Sequence, residues 1–538
     1  MTDLDEKHVP TTSDVAERQP VGHVEQTIEE RIKTGKDSAL PANHPVNAMG
    51  KWRKFGLVFS LSYAGFLCNF SIAIANVAFG LVGESFGVGP GAIANALGYN
   101  LLGCALGSVL WNPVSQSVGH RPVYLIGSFI FMPICVWQAQ AKTYHSFVGG
   151  RVLAGIVTSW SQTIPPSSIA NIYVKEVRGS KMSAYAICTV IGPVIVPIFA
   201  AAIVRKHSWR NLWYFNLGLA ALQFLLVLFL VPETTWNWDE PTHNNNSPAA
   251  VDTPGGDDHD PRRSSTLKEE SALKESVLDN PYHADYHTRS GHVGATFLPH
   301  HDWPRFGKLV LSPIIMFHYI VIVVPSFYYG MCLGWLSVGI TVVFPQIFAE
   351  PPFSFGLLPL GAAFLAFGIG GVLGKWSGGI VSDKIVAYFE RKNGQRQPED
   401  RLWAGYPMLP LMFLGLLLCG LGVQLRLHWM CYLVGGAICF FSLSGITTVI
   451  LTYTLETYIT HGMDTQAVFN FCKYMWGFVV PFFLMDWGLK DGWIACYCAQ
   501  GAIVAGGGFI LLTCLIWKGF DIRKWQNMPT HAREHHHN

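Results

Sequence analysis

Residues 211–232 read NLWYFNLGLAALQFLLVLFLVP, with no Asp, Glu, Lys or Arg anywhere in the stretch. A bilayer's hydrocarbon core is ~30 Å thick and a helix rises ~1.5 Å per residue, so about 20 apolar residues cross it once. Lipid offers no hydrogen-bond partner to a bare backbone, so such a run must satisfy its own groups as an α-helix. The same reading applies to 55–79, 92–113, 122–141, 146–174, 182–204, 309–349, 351–374, 402–425, 427–455, 465–485 and 492–517. Only two of these runs carry a charge, Arg151 in one and Lys473 in another. The predicted fold is all-α: a polytopic membrane protein with twelve transmembrane helices.

Composition agrees. Half of the 538 residues are hydrophobic and 13% are charged, against roughly 25% charged in an ordinary soluble protein. Charges collect in the first 54 residues, in 233–308, in 375–401 and at the C-terminal end. That divides the chain into a polar tail (1–54), a bundle of helices 1–6 (55–232), a linker (233–308), a bundle of helices 7–12 (309–517) and a second tail (518–538). Both tails and the linker are expected to be disordered or irregular, being poor in apolar side chains. The run 309–349 is too long for one perpendicular helix. It reads either as two spans or as a short interfacial segment near 309–318 followed by one long crossing; the six-plus-six division favours one crossing, since an even total keeps both termini on one side.

A net charge of +2 argues against a nucleic-acid partner, which calls for a basic face. Residues 1–50 lack the basic start and short apolar core of a secretory signal, so the first membrane helix is expected to serve as an uncleaved targeting signal. Orientation follows lysine and arginine in the short loops. Lys51, Arg53, Lys54, Arg121, Lys175, Arg178, Lys181, Lys384, Arg391, Lys392, Arg396, Arg401, Lys518, Arg523 and Lys524 fall on the side of the N-terminus. Lys142, Arg205, Lys206, Arg210, Arg426 and Lys490 fall on the other: fifteen against six. Both termini are therefore expected in the cytoplasm, with the plasma membrane as the default location and a vacuolar membrane as the alternative.

An ionisable group inside a membrane span is costly, so it is a functional candidate by default. Arg151 opens Arg151-Val-Leu-Ala-Gly155, where the glycine shares a helix face with the arginine and allows a neighbour to approach closely. The alternative is that Arg151 snorkels to headgroups. Asn69 and Asn76, seven apart, are expected on one face of the first helix, as packing glue or as a polar wall. Gln162, with Ser159, Ser161 and then Pro165-Pro166, makes the fourth helix polar and breakable. Lys473 follows Asn470 by one turn, and Glu456 is its nearest acidic candidate. Gly192, Pro193 and Pro197 are expected to kink the fifth helix. Phe327, Tyr328, Tyr329 and Trp335 crowd the seventh span, where they suit either packing or the flat face of an organic substrate.

The twelve cysteines lie within apolar runs and read as small buried residues rather than disulfides or ligands. The histidines of 233–308 are irregularly spaced and unaccompanied by cysteine, so no metal site is assigned there, and His535–His537 reads as a basic tail. No P-loop, metalloprotease helix or nucleophile elbow occurs. The chain is read as a non-enzyme without a cofactor, powered by an ion or solute gradient.

Several short motifs, in order, resemble the major facilitator superfamily, and within it the fungal twelve-helix drug:proton antiporter-like group. After the second helix, Asn112-Pro-Val-Ser-Gln116-Ser117-Val-Gly119-His120-Arg121 is similar to the superfamily's gating loop, and Gly379-Ile-Val-Ser-Asp383-Lys384 repeats it in the second half, as a duplicated six-helix unit requires. Arg151-x-x-x-Gly155 resembles the fourth-helix motif tied to proton coupling, and Gly192-Pro193-x-x-Val196-Pro197-x-x-Ala200-Ala201 the fifth-helix antiporter motif. Trp209-Arg210, Pro232-Glu233-Thr234, Arg391-Lys392-Asn393-Gly394 and Pro398-Glu399-Asp400-Arg401-Leu402 resemble fungal members in particular. The departures are Gln116 and Ser117 in place of an acid and an arginine, and Val196, Ala200 and Ala201 in place of glycines.

The resemblance, which covers about residues 50–525, implies two six-helix bundles around a central path. Its leading functional implication is proton-coupled export of a small organic compound by a monomer in a lipid bilayer. Arg151 would tune coupling, while Asn69, Asn76, Gln162, Tyr329, Trp335, Glu456 and Lys473 line or flank the path. The alternatives are proton-coupled uptake of a nutrient or organic cation, and a non-transporting membrane sensor.

Overall fold

A computed structural model describes residues 50–173, 175–234, 303–393, 397–458 and 461–526. Most of the expected linker and of both expected tails, including the His-rich segments, lies outside the described residues. Two compact units are distinguished, residues 1–55 and 56–538. In the first, only 50–55 is described, as an exposed helix start. The second contains the membrane core.

The first half comprises α1 (Lys51–Ala73), a short α2 (Phe79–Phe86), α3 (Pro90–Val118), α4 (His120–Gln140), α5 (Tyr144–Thr158), α6 (Trp160–Thr163), α7 (Pro165–Ile172), α8 (Lys175–Lys206) and α9 (Arg210–Leu230). The second comprises α10 (Trp303–Met316), α11 (Ile320–Leu333) running through a π-helical stretch (Gly334–Gly339) into α12 (Ile340–Phe348), α13 (Leu357–Asn393), a 3₁₀ segment (Pro398–Gly405), α14 (Met408–Gln424), α15 (Trp429–Thr457), α16 (Gly462–Asp491) and α17 (Trp493–Gln526). Eleven helices among the described residues are long and apolar enough to cross a membrane. The remaining crossing is the broken α5–α7, whose pieces are individually too short. All described regular structure is helical, as the apolar runs require.

Duplication is visible in the packing. Crossing 2 (α3) packs on crossing 4 (α5), and crossing 3 (α4) on crossing 6 (α9). The second half repeats this with crossing 8 (α13) on 10 (α15) and crossing 9 (α14) on 12 (α17). Between halves, α3 packs on α16 and α8 on α13. A six-helix shift converts each of these two contacts into the other, as a pseudo-twofold repeat demands.

Small residues make the close approaches, because lipid supplies no hydrophobic drive between helices. A Cβ on Gly103 would strike the Val152 carbonyl oxygen, and one on Gly155 the Asn100 carbonyl oxygen. In the second half, Gly370 and Gly374 lie the same way against the carbonyls of Ala437 and Phe441. Outward faces are apolar and exposed, as at Phe229, Ile369, Phe509 and Ile510, which suits lipid contact. Exposed Cys514 shares that environment, while Cys188, Cys431 and Cys498 are half-buried, so the expectation of uniform cysteine burial is corrected.

Several boundaries differ from the sequence reading. α1 stops at Ala73, and residues 74–77 turn, so Asn76 lies beyond the helix and does not share a helix face with Asn69. α10 begins inside the expected linker and breaks at 317–319 before the seventh crossing. α17 continues to Gln526, into the expected tail. Most consequentially, α13 runs to Asn393, which places Lys375 inside a helix that the hydropathy had ended at 374.

Candidate functional site

Proline has no N–H, so the carbonyl four residues before it inside a helix loses its usual donor. Three prolines do this at mid-depth, and side chains from other crossings answer each one. Pro165 and Pro166 release the carbonyls of Ser161 and Gln162. Tyr185 of α8 donates its hydroxyl to the first at 2.6 Å, and Asn470 of α16 donates to the second at 3.1 Å. Pro193 releases the Thr189 carbonyl, which accepts from the Asn69 amide at 3.0 Å. Gln162 in turn donates to the Gly65 carbonyl of α1 at 3.2 Å. A layer of amides and one phenol thus staples crossings 1, 4, 5 and 11 together around the breaks in crossings 4 and 5.

Arg151 does the same for α1. Its guanidinium donates to the carbonyls of Ser71 and Ile72 at 2.8 and 2.7 Å, within the last turn before Ala73. Helix-terminal carbonyls lack intrahelical donors and carry partial negative charge, so a cation there satisfies both needs. The guanidinium carbon lies 5.3 Å from the centre of the Trp213 ring, a cation–π contact. At 1% exposure, Arg151 is fully enclosed and does not snorkel.

The fifth-helix motif is also in contact. Gly192 lies against the Phe66 carbonyl of α1, and Gly361 of α13 lies against the Pro197 carbonyl and the Ala201 methyl. Of the three positions where the motif has lost a glycine, Ala201 is thus matched by a small residue, Gly361, on the opposing α13.

The two loop motifs form the end of the bundle at which α3, α13 and α15 finish; we call it the motif end. Gly119 adopts φ +100°, where a side chain would be strained, and its missing Cβ makes room for Glu233. That carboxylate accepts the backbone N–H groups of His120 and Arg121 at 3.0 and 3.1 Å, an anion at the N-terminus of α4. Arg121 also donates to the Leu228 carbonyl at 3.2 Å. In the second half, Arg401 bridges Asp383 at 3.0 Å and both oxygens of Glu456 at 2.8 Å. Lys384 is exposed, and Gly379 has open space beside it.

Glu456 is therefore committed to Arg401, and the expected pairing with Lys473 is corrected. The sequence distance from Lys473 gave no hint of this, since the partner comes from the 3₁₀ segment.

The acid missing at Gln116 has a counterpart across the interface. Asp464, 5% exposed and in the first turn of α16, accepts from the Asn112 amide at 2.6 Å, Ser312 at 2.5 Å and Gln116 at 3.5 Å, with His461 at 3.4 Å. The carboxylate has changed sides: amides sit on α3 and the acid on α16, whose N-terminal dipole favours it. Asp464→Ala is expected to leave these donors unmatched, costing about 1–3 kcal/mol. Hydrogen exchange at the start of α16 should accelerate; wild-type protection there would contradict the assignment.

The aromatic candidates separate by position. Phe327 is largely exposed and Tyr328 donates to the Val504 carbonyl at 3.0 Å, so both serve outer surface and packing. Tyr329 is buried and stacked on Phe469, with ring centres 4.7 Å apart. Trp335 sits in the π-helical stretch, edge-on to Trp476 at 5.7 Å, and its indole N–H has no partner among the described residues. π-Helical insertions of this kind often mark functional positions. Asn76 is buried beyond the end of α1, with its amide oxygen unpartnered.

Paired six-helix halves around a polar layer at mid-depth define a membrane transporter. The chain belongs to the Major Facilitator Superfamily, whose sequence profile matches residues 61–481. It is 27% identical to the MFS transporter cpaT of Aspergillus oryzae, over 75% of this chain and 74% of that one. It is 25% identical to Fluconazole resistance protein 1 of Saccharomyces cerevisiae, over 74% of this chain and 67% of that one. Among solved structures, it superposes on a D-xylose-proton symporter with TM-score 0.56 and 16% identity, covering 86% of this chain and 97% of that one.

Proposed function

We propose that this transporter exports a small, largely apolar organic compound in exchange for protons, by alternating access. The observation that carries the reading is the hydrogen-bonded layer at the proline breaks, which joins the halves at mid-depth through Asn470 and Gln162. The halves also touch on both sides of it, at Asn112–Asp464 towards the motif end and at Gly98 against the Phe478 carbonyl towards the other. A solute reaches the layer only when one of these contacts opens. Relatives named for drug resistance favour export over uptake.

In this reading Arg151 couples proton movement to the end of α1, while Tyr329, Trp335 and Lys473 face the solute. Asn69 and Gln162 hold the breaks about which the halves rock, and Gly119, Arg121, Gly379, Asp383 and Lys384 belong to the motif-end gate. The protein works as a monomer in the plasma membrane with both termini in the cytoplasm.

Purified protein in liposomes under an imposed pH gradient tests the reading. Accumulation of fluconazole or another hydrophobic test compound should follow the gradient and collapse when an ionophore dissipates it. Flux that ignores the gradient would overturn proton coupling, and net movement along with protons would favour uptake.

A further inference from the structure

Asn69, Gln162, Tyr185 and Asn470 of the central layer are each hydrogen-bonded. Two lysines stand out. Lys473 of α16 lies nine residues inside Asp464, roughly 13 Å at ~1.5 Å per residue. Lys375 of α13 lies eight residues inside Asp383, roughly 12 Å by the same rise. They therefore sit at similar depth in the second half. Lys375 is one turn from Gly371, which packs against Val190 of α8 in the first half, so its helix face is turned to the seam between halves. Lys473 lies within electrostatic range of Cys68 on α1 and Cys104 on α3, and of Lys375 itself.

Neither ammonium has a hydrogen bond or carboxylate partner among the described residues; Lys473 has only the ring of adjacent Tyr474, 4.2 Å away. Both side chains are half-buried, and a charge inside a membrane span ordinarily pairs with another group or faces a water-filled cavity. The acids nearest along the chain are engaged at the motif end: Asp383 and Glu456 with Arg401, and Asp464 with its four donors. The unpartnered neutral groups nearby point the same way. The indole N–H groups of Trp335 and Trp476 are donors only, and the Tyr474 hydroxyl, on a residue 2% exposed, is also unpartnered. Lysine and indole have no acceptor capacity. The set offers positive charge and donors beside the stacked aromatics Tyr329 and Phe469.

We propose that Lys375 and Lys473 form the recognition site for an organic anion, whose carboxylate lies between the two ammoniums while its apolar body lies along Tyr329, Trp335 and Trp476. This rests on the transport reading above and names its substrate class. The anion supplies the missing counter-charge, and the aromatic wall supplies affinity without fixed charge.

The test uses three probes of matched shape: 2-naphthoate, 2-naphthalenemethanol and 2-naphthalenemethylamine. They are titrated against the purified full-length protein, read by tryptophan fluorescence and thermal shift. The carboxylate should bind at least about tenfold more tightly than the alcohol or the amine, a difference of about 1.4 kcal/mol. Lys375→Gln and Lys473→Gln should each remove that preference without changing affinity for the alcohol, and Lys→Arg at either position should restore it. Equal or tighter binding of the amine, no naphthoate binding at millimolar concentration, or an unchanged preference in both Gln variants would overturn the proposal. The comparison in wild-type protein stands even if a variant fails to fold.

Flux in liposomes separates the two readings. Gradient-driven movement of a neutral or cationic compound without carboxylate preference sinks the anion site and leaves transport standing. Lysine-dependent naphthoate binding without any flux does the reverse.

Discussion

Arg151→Ala is expected to abolish gradient-driven flux and to destabilise the protein by about 2–4 kcal/mol, since two buried helix-end carbonyls lose their charge-assisted donors at once. The side chain is enclosed and holds the carbonyls of Ser71 and Ile72 while lying against Trp213. Arg151→Lys should recover part of the stability, because a point-like ammonium reaches one carbonyl well but cannot reproduce the fork. Its flux should remain low if the position of the end of α1 matters to coupling. Thermal unfolding in detergent and flux in liposomes measure the two effects separately. An Arg151→Ala protein with wild-type stability would show that the carbonyls find other donors.

Gly155→Val is expected to be more damaging to the fold. A Cβ at this position collides with the Asn100 carbonyl oxygen and crowds the backbone of Cys104 and Gly103. Backbone atoms in a packed helix pair cannot turn aside as a flexible side chain does, so α3 and α5 must separate along their length. Overpacking costs about 1–3 kcal/mol where side chains can adjust, and the cost here should reach or exceed the top of that range. The amide of Asn100, which donates to the Arg151 carbonyl at 2.7 Å, would be pulled away in the same movement. The expected result is little monodisperse protein by size-exclusion chromatography. Gly379→Val, in open space, is the control that should behave as wild type in stability.

The crossings were legible because lipid imposes one rule on every one of them, and the rule is written in composition: a long run without charge. Their interruptions were legible only in part. Pro165-Pro166 and Gly192-Pro193 announced breaks, but nothing in the local sequence says that Asn470 and Asn69, far away in the chain, take the released carbonyls. Glu456 was matched with Lys473 because both sit on neighbouring helices, whereas its ion pair is made by Arg401 from a connecting segment.

Lys375 escaped notice for a simpler reason. Hydropathy ends a span at its first charge, so a lysine followed by a polar loop reads as the loop's beginning even when the helix continues through it to Asn393. The one available signal was the small Gly378 beyond it, which extends the helix-packing pattern past the charge and lies against Gly445 of α15. Gln116 looked like a lost gate charge, and Asp464 shows that the charge is supplied from the opposite half.

The proposed transport requires relative movement of the halves, and a reversible lock at the motif end tests that most directly. Asn112 and Asp464 meet across α3 and α16 at 2.6 Å between their side-chain tips, so cysteines at these two positions, in a background with the native cysteines replaced, can be joined by a short, reducible bifunctional thiol reagent. Flux in liposomes should stop on cross-linking and return on reduction, while the uncross-linked pair transports. Full flux through protein shown by mass spectrometry to be cross-linked would contradict alternating access at this interface.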